Sequence, residues 1–313
     1  MMRSKIAVGF ATAGRPAILA ATMRELSKQT LLPDCVFVCP ASEKDFDLAL
    51  VADLPFQLVV VKGPIGLTAQ RNAILDRALE FDILVFLDDD FFPSPSYLEE
   101  MALCFASDPA IVLAHAHILA DGSAGPGIDE AAARSMIQQS ASRPDQPLMD
   151  DDWAWGCNMA LRLASVYDHN MRFDENLPLY GFLEDQDFSC RMTSCGRVVK
   201  NNLASGVHLG VKSGRTSGLR YGYSQVANPI YLWRKGTSPL HATVHHSLFR
   251  VISNLVKLWQ GDPWIDRRGR ALGHALAYVD MVRGRLHPAR MLELDAKHLG
   301  RSAAGVSKWK SVE

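Results

Sequence analysis

The residues able to do chemistry gather at three places. Asp88, Asp89 and Asp90 stand in a row directly after the apolar run Ile83, Leu84, Val85, Phe86 and Leu87. In an extended chain residues i and i+2 project to one side, so Asp88 and Asp90 can reach one divalent cation while Asp89 turns the other way. A cation held there would hold a diphosphate; the same triplet also fits a solvated acidic turn that merely ends a strand. A second group, Glu184-Asp185-Gln186-Asp187, packs three carboxylates into four residues. These acids equally suit the exposed start of a helix over 186–192, where they favour the N-terminal dipole. His208 closes a strand-like apolar stretch, 203–209, a setting in which a lone histidine is more often a satisfied core residue than a ligand.

The elements that must position these groups are legible in outline. Apolar stretches at 6–10, 35–39, 56–61, 83–87 and 111–115 read as short buried strands. Helical patterns lie between them: one after the turn 11–16 with Leu19, Met23 and Leu26 on one face, one over 66–79 and one over 96–105. Strands separated by helices of this length imply βαβ units and a parallel sheet. Acids at the carboxyl end of a buried strand in such a sheet face a ligand crevice. Residues 121–152, rich in Gly, Ser, Pro and Asp, read as a surface excursion around one short helix. Glycines at 210, 214, 218 and 222 predict a mobile loop over 209–224, since each would cost a helix roughly 0.8 to 1 kcal/mol relative to alanine. Helical patterns fill the chain from about 241 onward.

Composition bounds the function. The 313 residues are 48% hydrophobic with a formal net charge of -1, which suits a soluble globular protein and gives no nucleic-acid footprint. The charge is uneven: from Arg250 to the end there are twelve Lys/Arg against six Asp/Glu, leaving 21 against 28 before it. Six cysteines without a CxxC pair read as buried thiols in a reducing compartment. The apolar N-terminal stretch is too short for a signal peptide, and no run reaches the ~18 to 20 residues that span a bilayer. These features predict a cytoplasmic protein, with peripheral attachment at the inner face of the cell membrane left open.

Five motifs in order carry a family likeness: Thr12-Ala13-Gly14-Arg15-Pro16 after the first strand, Gly66-Leu67-Thr68-Ala69-Gln70-Arg71-Asn72, Phe86-Leu87-Asp88-Asp89-Asp90 followed by Pro93, Trp155-Gly156-Cys157-Asn158-Met159-Ala160, and Phe173-Asp174-Glu175 leading to Gly181-Phe182-Leu183-Glu184-Asp185-Gln186-Asp187. Over roughly residues 5–235 the chain resembles the family 2 glycosyltransferases, inverting enzymes of the GT-A fold, of the kind that build bacterial surface polysaccharides. The resemblance implies an α/β GT-A domain over 1–239, with a Rossmann-like nucleotide-sugar half (about 1–117) on a mostly parallel central sheet fused to an acceptor half (about 118–239). Residues 240–313 would form a helical basic C-terminal extension.

The resemblance also implies roles. Asp90 would ligate Mn²⁺ or Mg²⁺ directly, Asp88 would bond the ribose or a metal-bound water, and His208 would be the late histidine ligand. Asp185 would be the base that takes the acceptor's proton, with Glu184 orienting donor or acceptor; Asp187, two residues on, could share that face. Thr12, Ala13, Arg15, Arg71, Asp88 and Asp89 would line the donor side. Lys212 and Arg215, with Arg220, would close on the diphosphate. Trp155, Gly156 and Asn158 would face the acceptor. The acid that many members carry after the second strand is missing at Cys39-Pro40-Ala41-Ser42-Glu43, unless Glu43 or Asp45 substitutes, so the nucleobase is not fixed and a UDP-sugar is expected on family frequency. The acceptor is expected to be a glycan or polyprenyl-linked glycan. A sugar-phosphate nucleotidyltransferase and a catalytically silent nucleotide-sugar-binding subunit are the alternatives; the first is poorly matched by the loop 9–16, the second by the retained Glu184-Asp185 pair.

In the tail, Leu248, Phe249, Val251, Ile252, Leu255, Val256, Leu258 and Trp259 recur mostly at helical spacing with Arg250 and Lys257 among them. Arg267, Arg268, Arg270, Arg283, Arg285 and Arg290 follow. Such a segment suits an anionic membrane surface, and equally packing against the catalytic domain or a second subunit.

Overall fold

The computed structural model describes residues 3–140, 144–259 and 262–294. The end of the predicted basic extension, 295–313, lies outside the described residues. The chain divides into two compact units, Met1–Glu175 with Leu183–Arg215, and Asn176–Phe182 with Thr216–Glu313.

The first unit is built on a mixed sheet that, among the described residues, has nine strands: β1 (Ile6–Thr12), β2 (Cys35–Pro40), β3 (Gln57–Val60), β4 (Ile83–Leu87), β5 (Phe91–Pro93), β6 (Ile111–Asp121), β7 (Leu148–Asp150), β8 (Asn158–Arg162) and β9 (Arg197–His208). Their order is β3-β2-β1-β4-β8-β6-β9-β5, with β7 on β9. The first four are parallel, as the predicted βαβ units require. β8 then enters antiparallel between β4 and β6, and β6 runs parallel to β9. Helices α1 (Pro16–Leu26), α2 (Leu67–Leu75), α3 (Tyr97–Ser107), α4 (Glu130–Gln139), α5 (Leu163–Asp168) and α6 (Glu184–Met192) belong to this unit. Apolar side chains pack on both faces of the sheet, which is why β1 and β4 are unbroken apolar runs: Val8, Val85 and Met23 belong to one core, Ala7, Leu84 and Ile74 to the other.

The second unit holds α7 (Gly218–Lys235), α8 (Leu240–Val244), a π-helical turn (His245–Phe249), α9 (Arg250–Val256) and α10 (Arg267–Val282). Tyr223, Val226, Ala277 and Met291 form its core. Asp280 accepts from Tyr223 Oη at 3.0 Å and pairs with Arg290 at 3.2 Å.

The structure corrects the glycine-loop expectation. Irregular chain runs only to Ser217, and Gly218 and Gly222 lie inside α7. Packing overrides propensity here: a Cβ on Gly222 would sit 2.2 Å from the Arg270 carbonyl oxygen, and one on Gly273 would sit 2.2 Å from that of Leu219. The four-residue spacing is a contact surface where α7 and α10 touch backbone to backbone. Helix α2 is also shorter than predicted, and β6 continues six residues past 115.

Gly222→Val should therefore destabilise the second unit by roughly 1–3 kcal/mol, the usual cost of overpacking. Calorimetry should show a lowered midpoint for the transition of this unit, with Gly222→Ala falling between the variant and the natural chain.

Candidate metal and nucleotide-sugar site

The three predicted clusters meet at the carboxyl end of β4. After Leu87 the chain turns within three residues, with Phe91 N–H donating to Asp88 O at 3.0 Å, and returns as β5. β5 pairs antiparallel with β9 so that Phe91 lies opposite His208, which brings the histidine beside the aspartates. Among the described residues, one group of potential ligands lies close enough to share a metal: Asp88, Asp90 and His208, with ligand atoms within 4.8 Å of one another. His208 Nε2 stands 3.3 Å from Asp90 Oδ1 and 3.9 Å from Asp88 Oδ2. Asp90 Oδ1 is buried in ion-pair range of the imidazole yet lacks a hydrogen bond, an orphaned oxygen that a cation would satisfy. Two carboxylates and one imidazole suit Mn²⁺ or Mg²⁺. The residues present fit the expected metal.

Asp121 completes this cluster and escaped sequence reasoning. It ends β6 directly opposite His208 and contacts His208 Nδ1 at 2.9 Å, so Nε2 is turned toward the aspartates. The signal was the strand pattern itself, since extending the strand from 115 to 121 makes Asp121 the third acid at this edge. Burial alone would lower the His208 pKa; the carboxylates of Asp121, Asp90 and Asp88 outweigh it and raise it to about 10. Burial would raise Asp90, but His208, Arg15 and the Val211 N–H hold it below the usual carboxylate range.

Asp89 faces away from the cluster. It is buried, accepting from Thr12 Oγ1 at 2.7 Å and from Arg15 at 2.8 Å; burial pushes it to about 6 despite both donors. Arg15 also donates to the carbonyls of Ser213 and Val211, at 2.7 and 3.0 Å, and stands 3.4 Å from Asp90. Ala13 is exposed beside it. Lys212 donates to the carbonyls of Gly122 and Ser123, and burial lowers its pKa to about 8. Arg215 donates to Val211 O and Gly210 O. Arg15 and Lys212 thus lace the loop 210–215 to the rest of the unit, and Arg215 folds the loop on itself. Gly14 and Gly214, both left-handed, let the backbones touch: a Cβ on Gly214 would lie 2.2 Å from Ala13 O. Arg220 begins the other unit's helix and is not part of this loop.

Arg71 is fully buried under the site. It binds Glu184 Oε1 at 2.6 Å and Gly156 O at 2.7 Å, stands 3.6 Å from Asp88, and lies 5.3 Å from the ring centres of both Phe86 and Phe173. Asn72 bonds the Phe173 backbone in both directions and fixes that segment. Leu183, at φ 69, turns sharply so that Glu184 and Asp185 form the first turn of α6. Asp185 is half-buried and accepts from Gly156 N–H at 3.0 Å and Gln186 N–H at 2.8 Å. Burial raises its pKa although both N–H groups oppose the shift. Burial likewise pushes Glu184 to about 8, with Arg71 opposing and Asp185 and Asp88 adding to it. Asp187 is wholly buried and paired with Arg191 at 2.8 Å. Trp155 is exposed, its edge on Trp153, whereas Asn158 is buried with its amide oxygen on Ala116 N–H.

The likenesses to known proteins agree with this geometry. No protein-family model matches the chain. A Bacillus subtilis protein described as the uncharacterized glycosyltransferase YwdF is 33% identical over 100 residues, 31% of this chain and only 37% of that relative. S. aureus TarS superposes with a TM-score of 0.55 at 15% identity, over 96% of this chain and 93% of the other. The mannosyltransferase PcManGT of Pyrobaculum calidifontis, solved with GDP-Man and Mn²⁺, gives 0.52 at 15% identity over 96% and 88%. GalNAc-T7, solved with UDP, GalNAc and Mn²⁺, gives 0.51 at 16% over 66% of this chain and 44% of its own. The chain has the GT-A fold, with a metal-competent Asp/Asp/His cluster where its strands end.

Asp121→Asn should weaken Mn²⁺ binding about 10- to 100-fold, the usual effect of losing a histidine's carboxylate partner. Titration calorimetry of Mn²⁺ into the variant checks this, and a circular dichroism spectrum matching the natural chain excludes misfolding.

Proposed function

We propose that the chain is a metal-dependent inverting glycosyltransferase. It moves a sugar from a nucleoside-diphosphate sugar, UDP being the first choice of nucleotide, to a hydroxyl of a glycan or polyprenyl-linked glycan. The observation that carries this reading is the convergence of Asp88, Asp90 and His208 at the carboxyl end of β4 in a GT-A fold, with Asp185 joined to the same hub through Gly156 and Arg71. Mn²⁺ in two of the fold neighbours supports the choice of ion.

A bound Mn²⁺ or Mg²⁺ stabilises the charge that grows on a departing diphosphate. Asp90, Asp88 and His208 would hold it. Asp185 acts as the base: its two backbone donors fix the carboxylate, and each oxygen keeps a second lone pair to receive the acceptor hydroxyl's proton. Glu184, clamped by Arg71, orients the substrates and leaves proton transfer to Asp185. Thr12, Ala13 and Arg15 form the donor side, Lys212 and Arg215 the anion-binding loop, and Trp155 an exposed acceptor platform. Asp89 serves the donor side through Arg15.

Asp185→Asn should lower kcat by on the order of 10² or more at unchanged donor affinity, read as nucleoside diphosphate release. Product identity decides between reaction classes, because a nucleotidyltransferase would release pyrophosphate instead. Excess EDTA should abolish turnover, and Asp90→Asn should weaken both metal and donor binding; full activity in either case would remove the metal from the reaction.

The pH dependence has a defined sign. Asp185 works ionised and its pKa is raised, so kcat falls as pH drops through a value above the ordinary carboxylate range near ~4. A kcat profile flat down to that range would exclude Asp185 as the base.

A further inference from the structure

The helical run through α8, the π turn and α9 is inside out. Its inward side carries Thr243, His246, Ser247 and Asn254, with Val251 the one large apolar residue among the buried positions. Its outward side carries Val244, Leu248, Phe249, Ile252, Val256 and Trp259, the last two 74% and 88% exposed. The polar side is tied to the neighbouring helices by hydrogen bonds: Thr243 Oγ1 to Pro229 O of α7, Tyr278 Oη of α10 to Ser247 O, and Asn254 Nδ2 to Arg267 O. The run therefore cannot roll to bury its apolar stripe. An exposed stripe of this size marks a surface that meets another apolar phase.

Beside the stripe lies a cavity of about 320 Å³ whose charged lining residues are Arg250, Arg267 and Arg270, with His245 and Asn254 also at its wall and no acidic residue among its lining. Aromatic faces set two of the guanidinium groups in place: Arg250 lies over Phe182 at 5.2 Å and Arg270 over Tyr221 at 4.6 Å. Asp262 pairs with Arg267 from outside the lining. Phe249 lines the cavity and also belongs to the exposed stripe, so the two features form one continuous patch. The sequence reinforces the sign of the charge: from 188 to 261 there is no Asp or Glu, against ten Lys and Arg.

We infer that this patch docks the protein on an anionic phospholipid bilayer, with the apolar stripe entering the acyl boundary and the arginine-lined cavity taking a lipid phosphate. Charge and apolarity on one face are the two requirements of interfacial binding, and both are met here, while no helix among the described residues is long and apolar enough to cross a membrane. A second copy of the chain suits the patch less well, because a two-fold contact places the same surface on both partners and would set one arginine cavity against the other. The inference is independent of the sugar-transfer reading.

The test is flotation of the full chain at low salt with vesicles of phosphatidylcholine alone or mixed equally with phosphatidylglycerol. The natural chain should float with the mixed vesicles and stay behind with the neutral ones. Phe249→Asp with Ile252→Asp should abolish flotation, and Arg250→Gln with Arg270→Gln should weaken it about fivefold per arginine. Circular dichroism and donor turnover should be unchanged in the stripe variant, which separates failure of docking from failure of the enzyme reading. Lys257→Glu, at an exposed position outside both unit cores, should weaken flotation even if the arginine pair fails to fold. Inorganic phosphate at millimolar concentration should not release the bound protein; release by phosphate alone would mean a soluble-anion site and overturn docking. An intact chain that stays behind with mixed vesicles, or a concentration-dependent dimer in light scattering that the stripe variant converts to monomer, would also overturn it.

Discussion

The buried guanidinium of Arg71 is the constraint on which the site depends. A charge this deep is tolerated only with its partners in place, and removing one member of such a pair costs about 3–5 kcal/mol. Its partners come from three separate segments: Glu184 at the start of α6, the Gly156 carbonyl before β8, and Asp88 at the end of β4. Phe86 and Phe173 close over its faces. Fixing Arg71 fixes all three segments relative to one another, including the peptide whose N–H holds Asp185. The crowding leaves no room for a side chain at Gly156, where a Cβ would lie 2.8 Å from Glu184 Oε1.

Electrostatics divides the neighbouring acids by what surrounds them. Asp88 and Asp90 face an imidazole, Asp89 faces Thr12 and Arg15, and Asp185 faces two backbone donors. Adjacent residues in one tripeptide thereby acquire opposite shifts, Asp90 lowered by its cationic and amide neighbours and Asp89 raised by burial. Asp121 acts at one remove, through the far nitrogen of His208.

The sequence carried the parallel half of the sheet and the clustering of acids at strand ends because both follow from local pattern. Apolar runs such as 83–87 permit few placements, and acids directly after them must emerge at the sheet's edge. What stayed hidden depended on partners far along the chain. Asp121 gains its meaning only when β6 lies beside β9, a pairing across 87 positions. Gly218 and Gly222 looked like helix breakers because the backbone of Arg270 and the Asp266 carboxylate, the reasons for their lack of side chains, lie some fifty residues downstream. Asn158, read as acceptor-facing from its motif, has its amide oxygen on the neighbouring strand's Ala116 N–H, a pairing that required knowing where β8 inserts.

The loop 210–215 is a latch already fastened. Lys212 and Arg215 have donors on backbone carbonyls, and Arg15 divides its donors between carbonyls of the loop and the Asp89 carboxylate. An anion arriving at these cations has to displace those bonds, so its grip is the strength of the new charge-assisted bonds less that of the carbonyl bonds given up. The latch and any such guest compete for the same hands, and a chain that fastened the latch more tightly would become a poorer host.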